Sequence, residues 1–324
     1  MDIYKTNYKP TDYVRSSQGQ DVPAELAGEM KDVLGIELKS MALYMQAAYA
    51  IAKNTHSVNY LGHSKDMQCQ LICQGISEMR HAEILGKTLA RAGSSPQLKT
   101  GDFGSAKSYR ELFDMLLQVE RTGINSLSEI VGITNDKETK LALLNQLKEE
   151  ESHLEMIKQM SQVVENAGLM DTLLPLPQGS GPVVYDINIL LEAFELEIHS
   201  IVTLIYASIY LGADMSLAPR LRALSIESMK HLNKIAQDII TLGGRPVVTH
   251  ESLNKGPVLD DATQVIKHGI ESRKRKIEQY SQFAQTLKSQ GAAKTLSDIS
   301  TKEKESIKSL ENIANSLATV GPIH

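Results

Sequence analysis

The chain has 324 residues, enough for two ordinary domains with sizeable cores. Hydrophobic residues make up 42% and charged ones 23%, which excludes wholesale disorder. A net charge of −5 gives no electrostatic footprint for nucleic acid, and with no Trp and four Phe there is little aromatic surface for stacking bases. Twelve Met and abundant Leu, Ile and Ala favour helices over strands.

The N-terminal stretch "MDIYKTNYKPTDYVRSSQGQ" lacks the apolar core of a secretion signal and reads as an extended arm, residues 1–23. Prolines are absent from 24–95 and 97–174, which permits long helices. Four are expected there. The first covers 24–53 and the second 64–92, ended by Gly93 and Pro96. A third begins near Ser108, where "SYRE" offers a capping box with Glu111. A fourth begins near Asn135, with Glu138 three residues on, and stops at Gly168.

The breaker-rich "LPLPQGSGP" makes 174–183 a linker between a first domain, 24–173, and a second, 184–324. Helices are expected at 184–212, 216–242, 260–289 and 297–319. The apolar run "IVTLIYASIYLGA" in the first of these is too short and hydroxyl-rich to span a membrane and reads as a buried core helix. Cys69 and Cys73, four apart on one helix face, suit packing rather than a disulfide or a zinc site, and point to a reducing, cytoplasmic compartment.

The halves look related. "HAEILGKTLARAGSSP" (81–96) lies on "HLNKIAQDIITLGGRP" (231–246) without a gap, and "ELKSMALYMQAAYA" (37–50) lies on "EIHSIVTLIYASIY" (197–210). This is the signature of a duplicated four-helix unit rather than a solenoid.

In the first half, four glutamates sit inside apolar stripes. Glu37 has Val33, Met41 and Tyr44 at −4, +4 and +7; Glu78 has Leu71, Ala82 and Leu85 at −7, +4 and +7. Glu120 has Leu116, Ile124 and Leu127, and Glu150 has Leu143, Leu147, Leu154 and Ile157, at the same kind of spacing. Glu78 and Glu150 each carry a histidine three residues on, His81 and His153. A lone Glu-x-x-His is usually solvated surface. Two of them on alternate helices, with a lone Glu on each of the others, are far more specific. Four unpaired carboxylates in a core cost several kcal/mol each. No Lys or Arg shares their faces, so two divalent cations are the natural balance. Mixed carboxylate and imidazole ligands suit iron or manganese, with zinc also compatible.

This pattern resembles the ferritin-like di-metal carboxylate superfamily, whose ligand arrangement is a known one. The closest likeness is to bacterioferritin, through "LGIELKSMALY", "ISEMRHAEI", "LLQVERTGI" and "LKEEESHLEMI". The resemblance implies an all-α fold of two tandem ferritin-like four-helix bundles. It implies that Glu37 and His81 bind one iron, Glu120 and His153 the other, and that Glu78 and Glu150 bridge them. Tyr44 is either a hydrogen-bond or redox partner of that site or a packing residue. The implied activity is oxidation of Fe(II) by oxygen or peroxide, a ferroxidase-type oxidoreductase reaction serving iron storage or detoxification, in a self-associating protein with no nucleic-acid or membrane partner. The alternatives are a rubrerythrin-like di-metal oxidase or peroxidase, here without rubredoxin cysteines, and a non-catalytic metal-binding scaffold.

The second half departs from the pattern. Glu197 and His231 keep the places of Glu37 and His81, while Ser228 replaces Glu78. Glu271 is the expected counterpart of Glu120; "KEKESIKSL" offers Glu305 and Lys308 on the last helix. The half is expected to be degenerate and metal-free, with Glu227 a partial substitute and "ESRKRKIEQY" (271–280) a solvated face. Met79 aligns with Met229. In bacterioferritins the matching Met ligates haem across a twofold interface, so the pair reads either as haem ligands or as interface packing.

Overall fold

The computed structural model describes residues 24–51, 56–60, 63–91, 93–94, 100, 106–172, 181–211, 217–254 and 262–320. The arm 1–23 and most of the expected linker, its residues 174–180, lie outside these. The described chain is helical apart from one hairpin, and falls into two compact units, Met1–Leu173 with Val248–His250, and Leu174–Val247 with Glu251–His324.

The first unit is built on α1 (Ala24–Ala50), α2 (Met67–Arg91), α3 (Tyr109–Ile133) and α4 (Lys137–Asn166). Helix α1 packs on α2 and α3, and α4 packs on α3 and α2, closing a four-helix ring. The ends follow from local chemistry. The Ser108 hydroxyl accepts the Glu111 N–H, and the Glu111 carboxylate accepts the Lys107 N–H, a near variant of the expected capping box. Asp136, one residue past the expected start, caps α4 through the Thr139 N–H at 2.7 Å. Gly168, at φ 71°, lets the Leu169 N–H reach back to the Val164 carbonyl.

Antiparallel strands β1 (Ser57–Tyr60) and β2 (His63–Asp66) precede α2, with Ser57 opposite Asp66. This hairpin corrects the helix expected from residue 64. Its first strand packs against α4 and buries Val58, so a tertiary contact decides its conformation.

The second unit repeats the plan with α5 (Pro182–Tyr210), α6 (Ala218–Thr241), the short α7 (His250–Asn254), α8 (Ala262–Thr286) and α9 (Gln290–Val320). Pairing recurs in the same order: α5 on α6 and α8, and α9 on α8 and α6. Both α2 and α6 end at a glycine twelve residues past a core histidine, Gly93 at φ 69° and Gly243 at φ 83°. Helix α9 starts at Gln290 rather than 297. The buried Asp186 carboxylate accepts the N–H groups of Lys288 and Ser289, and the Ser289 hydroxyl accepts the Ala292 N–H. That anchor breaks one helix and starts the next. The run 201–211 is buried in α5, apart from the partly exposed Tyr210. No helix among the described residues is long and apolar enough to cross a membrane.

Candidate metal centre

All six glutamate and histidine ligands expected in the first unit are buried and converge in its core. They form two overlapping groups, Glu37–Glu78–His81–Glu150 and Glu78–Glu120–Glu150–His153, with ligand atoms within 4.8 Å of one another in each. Glu78 and Glu150 belong to both. One helix supplies each lone carboxylate, α1 for Glu37 and α3 for Glu120. The Glu-x-x-His pairs come from α2 and α4, where a three-residue step keeps both side chains on one face.

The imidazoles aim their Nδ1 atoms inward. His81 Nδ1 lies 2.6 Å from Glu150 Oε1, 3.4 Å from Glu37 Oε2 and 3.5 Å from Glu78 Oε2. His153 Nδ1 lies 2.6 Å from Glu78 Oε1 and 3.4 Å from Glu150 Oε2. The rings stack with centroids 5.8 Å apart. Yet Glu37 Oε2, both Glu78 oxygens, Glu120 Oε2, Glu150 Oε1 and both inward Nδ1 atoms make no aligned hydrogen bond. Close buried donor atoms that point at a common centre without bonding one another fit ligands of a shared cation.

Electrostatics describe the same crowding. Burial, then the charge of Glu150, pushes Glu37 well above the usual carboxylate range; burial, then Glu78, does the same to Glu120. Burial also raises Glu78 and Glu150, but His153 and His81 outweigh it and hold both below the usual value. Burial alone would lower the histidines. The charge of Glu150 leads in raising His81, and that of Glu78 in raising His153, so both end well above the usual imidazole value.

Around the ligands stands a second layer that sequence reasoning missed. Glu149 Oε2 lies 3.0 Å from His81 Nε2 and also pairs with Arg80. Burial raises Glu149, but His81 and Arg80 together bring it down to about 2. Gln146 donates to Glu37 Oε1 at 2.8 Å. Tyr44 is fully buried and donates to Glu120 Oε1 at 2.6 Å. A cleft of about 390 Å³ between α2 and α4 reaches Arg80, His81, Gln146 and Glu149 from outside. Gln146 was findable, four residues before Glu150 on the same face. Glu149 was not: it looks like one of three interchangeable acids in "EEES".

In the second unit Glu197 and His231 are buried together and Ser228 lies in the core, but the expectations for the last two helices need correction. Glu271 and Glu305 are exposed, as is Lys308, and the buried acid of α9 is Glu303. The face 271–280 is not fully solvated, because Arg273, Lys276 and Tyr280 are buried. Lys276 Nζ lies 3.0 Å from Glu197 Oε2, 3.2 Å from Glu303 Oε1 and 2.8 Å from Ser200 Oγ. Arg273 pairs with Glu303 and donates to Ser228 Oγ at 3.2 Å. His231 Nδ1 is 3.1 Å from Glu303 Oε1, and its Nε2 is 3.6 Å from Glu227 Oε1. Met79 and Met229 are both fully buried.

No curated protein and no solved structure matches the chain. The family model of the ferritin-like domain matches residues 187–320, from α5 through α9, and the first unit shares that region's helix order, helix pairing and buried Glu–His core.

Proposed function

We propose that the first unit holds a pair of iron ions and serves as a ferroxidase-type centre, oxidising Fe(II) with oxygen or peroxide. The observation that carries this reading is the pair of overlapping four-ligand groups sharing Glu78 and Glu150. Four carboxylates offer four negative charges, the match for two divalent cations. Glu37 and His81 would hold one ion, Glu120 and His153 the other, and Glu78 and Glu150 would span both. When bound, a close iron pair supplies two electrons to one oxygen or peroxide molecule.

The chain's own residues do the rest. Glu149 takes the outer ring nitrogen of His81, which turns Nδ1 inward. Gln146 and Tyr44 fix one oxygen each of Glu37 and Glu120, leaving the second free to bind. Apolar packing by Leu38, Met41, Leu85 and Ile157 excludes bulk water, which strengthens every electrostatic term inside. The cleft at Arg80 and Glu149 supplies a short route from solvent. Stopped-flow oxidation of Fe(II) by wild type and by Glu78→Ala tests the proposal. The variant is expected to lose the fast phase; equal rates in a folded variant would refute it.

A further inference from the structure

The region matched by the ferritin-like family model is the unit whose core departs from a two-metal ligand set. Helices α3 and α8 are each 25 residues long and each is followed by a three-residue break before the last helix. That equality fixes the correspondence. Arg273 stands where α3 has Glu120, Lys276 where it has Gly123, Glu303 where α4 has Glu150, and Ser306 where it has His153. Together with Ser228 for Glu78, three of six ligands are gone and two cationic side chains have entered.

We propose that the second unit is a self-neutralised counterpart of the two-metal core, in which the Arg273 guanidinium and Lys276 ammonium stand in for divalent cations and keep metal out. Two carboxylates, Glu197 and Glu303, meet two fixed positive charges, so no net charge invites an ion. The geometry matches the role. Lys276 Nζ bridges an oxygen of Glu197 and one of Glu303, as a shared cation would, and takes Ser200 as a third partner. Tyr280 occupies the other Glu197 oxygen at 2.8 Å. Outside, Glu227 sits against His231 Nε2 as Glu149 sits against His81, but it is claimed by Lys230 and Lys302. Glu197, His231 and Glu303 still place ligand atoms within 4.8 Å of one another, so the ammonium is what stands between this core and one bound ion.

Co(II) is a suitable probe, since its visible spectrum reports ligand type. In the full chain carrying His81→Ala and His153→Ala, which leaves the first unit no imidazole ligand, no Co(II) spectrum from a carboxylate–imidazole site is expected. A residual site abolished by His231→Ala would overturn the proposal. The reading of the first unit fails separately, if wild type shows no site that those two substitutions remove. Adding Lys276→Ala to the double variant is expected to create about one Co(II) site per chain, dependent on His231. If Lys276→Ala unfolds the unit, Co(II) should restore it, because an ion can take over the ammonium's charge. A folded variant without Co(II) binding, or an unfolded one that Co(II) does not rescue, would refute the substitution of ammonium for metal.

Discussion

Glu120 and Arg273 hold corresponding places on α3 and α8, yet one adds a fourth carboxylate to a core and the other cancels a second. In the first unit no Lys or Arg pairs with Glu37, Glu78, Glu120 or Glu150 among the described residues; the ionic partners are imidazoles. In the second, both core acids are paired with fixed cations. The same helix plan therefore tolerates two ways of handling buried acids. One leaves buried carboxylate and imidazole atoms without an aligned hydrogen bond. The other is complete within the chain and gives up exchange. The difference teaches that a family match reports the scaffold, while the charge sum at the core decides what the scaffold can hold.

The sharpest way to break this comparison is to remove the acid that the second unit depends on. Glu303→Ala leaves Arg273 with only the Ser228 hydroxyl, and Lys276 with Glu197 and the Ser200 hydroxyl. Orphaning a buried charge costs about 3–5 kcal/mol, so this variant should lose that much in urea unfolding monitored on α8 and α9. Glu120→Gln in the metal-free first unit should cost almost nothing, because burial already disfavours the charged form of Glu120. A small loss for Glu303→Ala would mean that the second core is not an ion-paired one.

Acidity should separate the units by sign. Glu37 and Glu120 are raised in the folded state, so the folded chain binds more protons there than the unfolded one, and stability falls as pH rises past the ordinary carboxylate value. Glu197 and Glu303 are lowered, by Lys276 first in each case and against the opposing effect of burial. Their contribution is complete above the ordinary carboxylate value and is lost only as pH falls through the depressed one. Between the ordinary carboxylate and imidazole values, the metal-free first unit should lose stability as pH rises while the second stays level. Hydrogen exchange in peptides from α3 and α9, corrected for intrinsic rates, reads both. Parallel slopes would show that the two cores carry similar charge.

A smaller effect is expected at Glu149. Glu149→Gln keeps the shape but removes the charge that holds the outer nitrogen of His81. Metal affinity should fall about tenfold, the low end for loss of a ligand's outer hydrogen-bond partner. Glu227→Gln in the second unit should leave metal binding unchanged. An unaltered affinity for Glu149→Gln would reduce that residue to a surface partner of Arg80.

Much of the first core was legible because its residues break a pattern. A glutamate at the +4 and +7 spacing of a leucine stripe is conspicuous, and four of them define the site. The second core was misread because its charges look ordinary. "ESRKRK" resembles a solvated basic run, and only the stripe through Ile266, Gly269, Lys276 and Tyr280 shows Arg273 turned inward. The same test separates Glu303, with Leu296, Ile299, Ile307 and Leu310 at −7, −4, +4 and +7, from Glu305, which has Asp298, Thr301 and Ser309 at three of those places. The hairpin and the break before α9 were beyond reach, since a contact with α4 and the distant Asp186 decide them.

The finest test compares the two buried tyrosines. Tyr44 donates to Glu120 at 2.6 Å, and Tyr280 to Glu197 at 2.8 Å and to the Ala193 carbonyl at 3.0 Å. The donors are alike but the acceptors are not. Glu197 is held ionised by Lys276, whereas Glu120 is pushed toward its neutral form by burial and by Glu78. A hydrogen bond to a charged group is worth about 1.5–3 kcal/mol and one between neutral groups about 1 kcal/mol. In metal-free protein at neutral pH, Tyr280→Phe should therefore destabilise its unit more than Tyr44→Phe does, by about 1 kcal/mol in paired urea titrations. Metal in the first unit would require Glu120 to be ionised, so saturating Co(II) should raise the cost of Tyr44→Phe and close the gap. If the gap persists with Co(II) bound, Glu120 has not become a charged ligand, and its place in the first metal group falls.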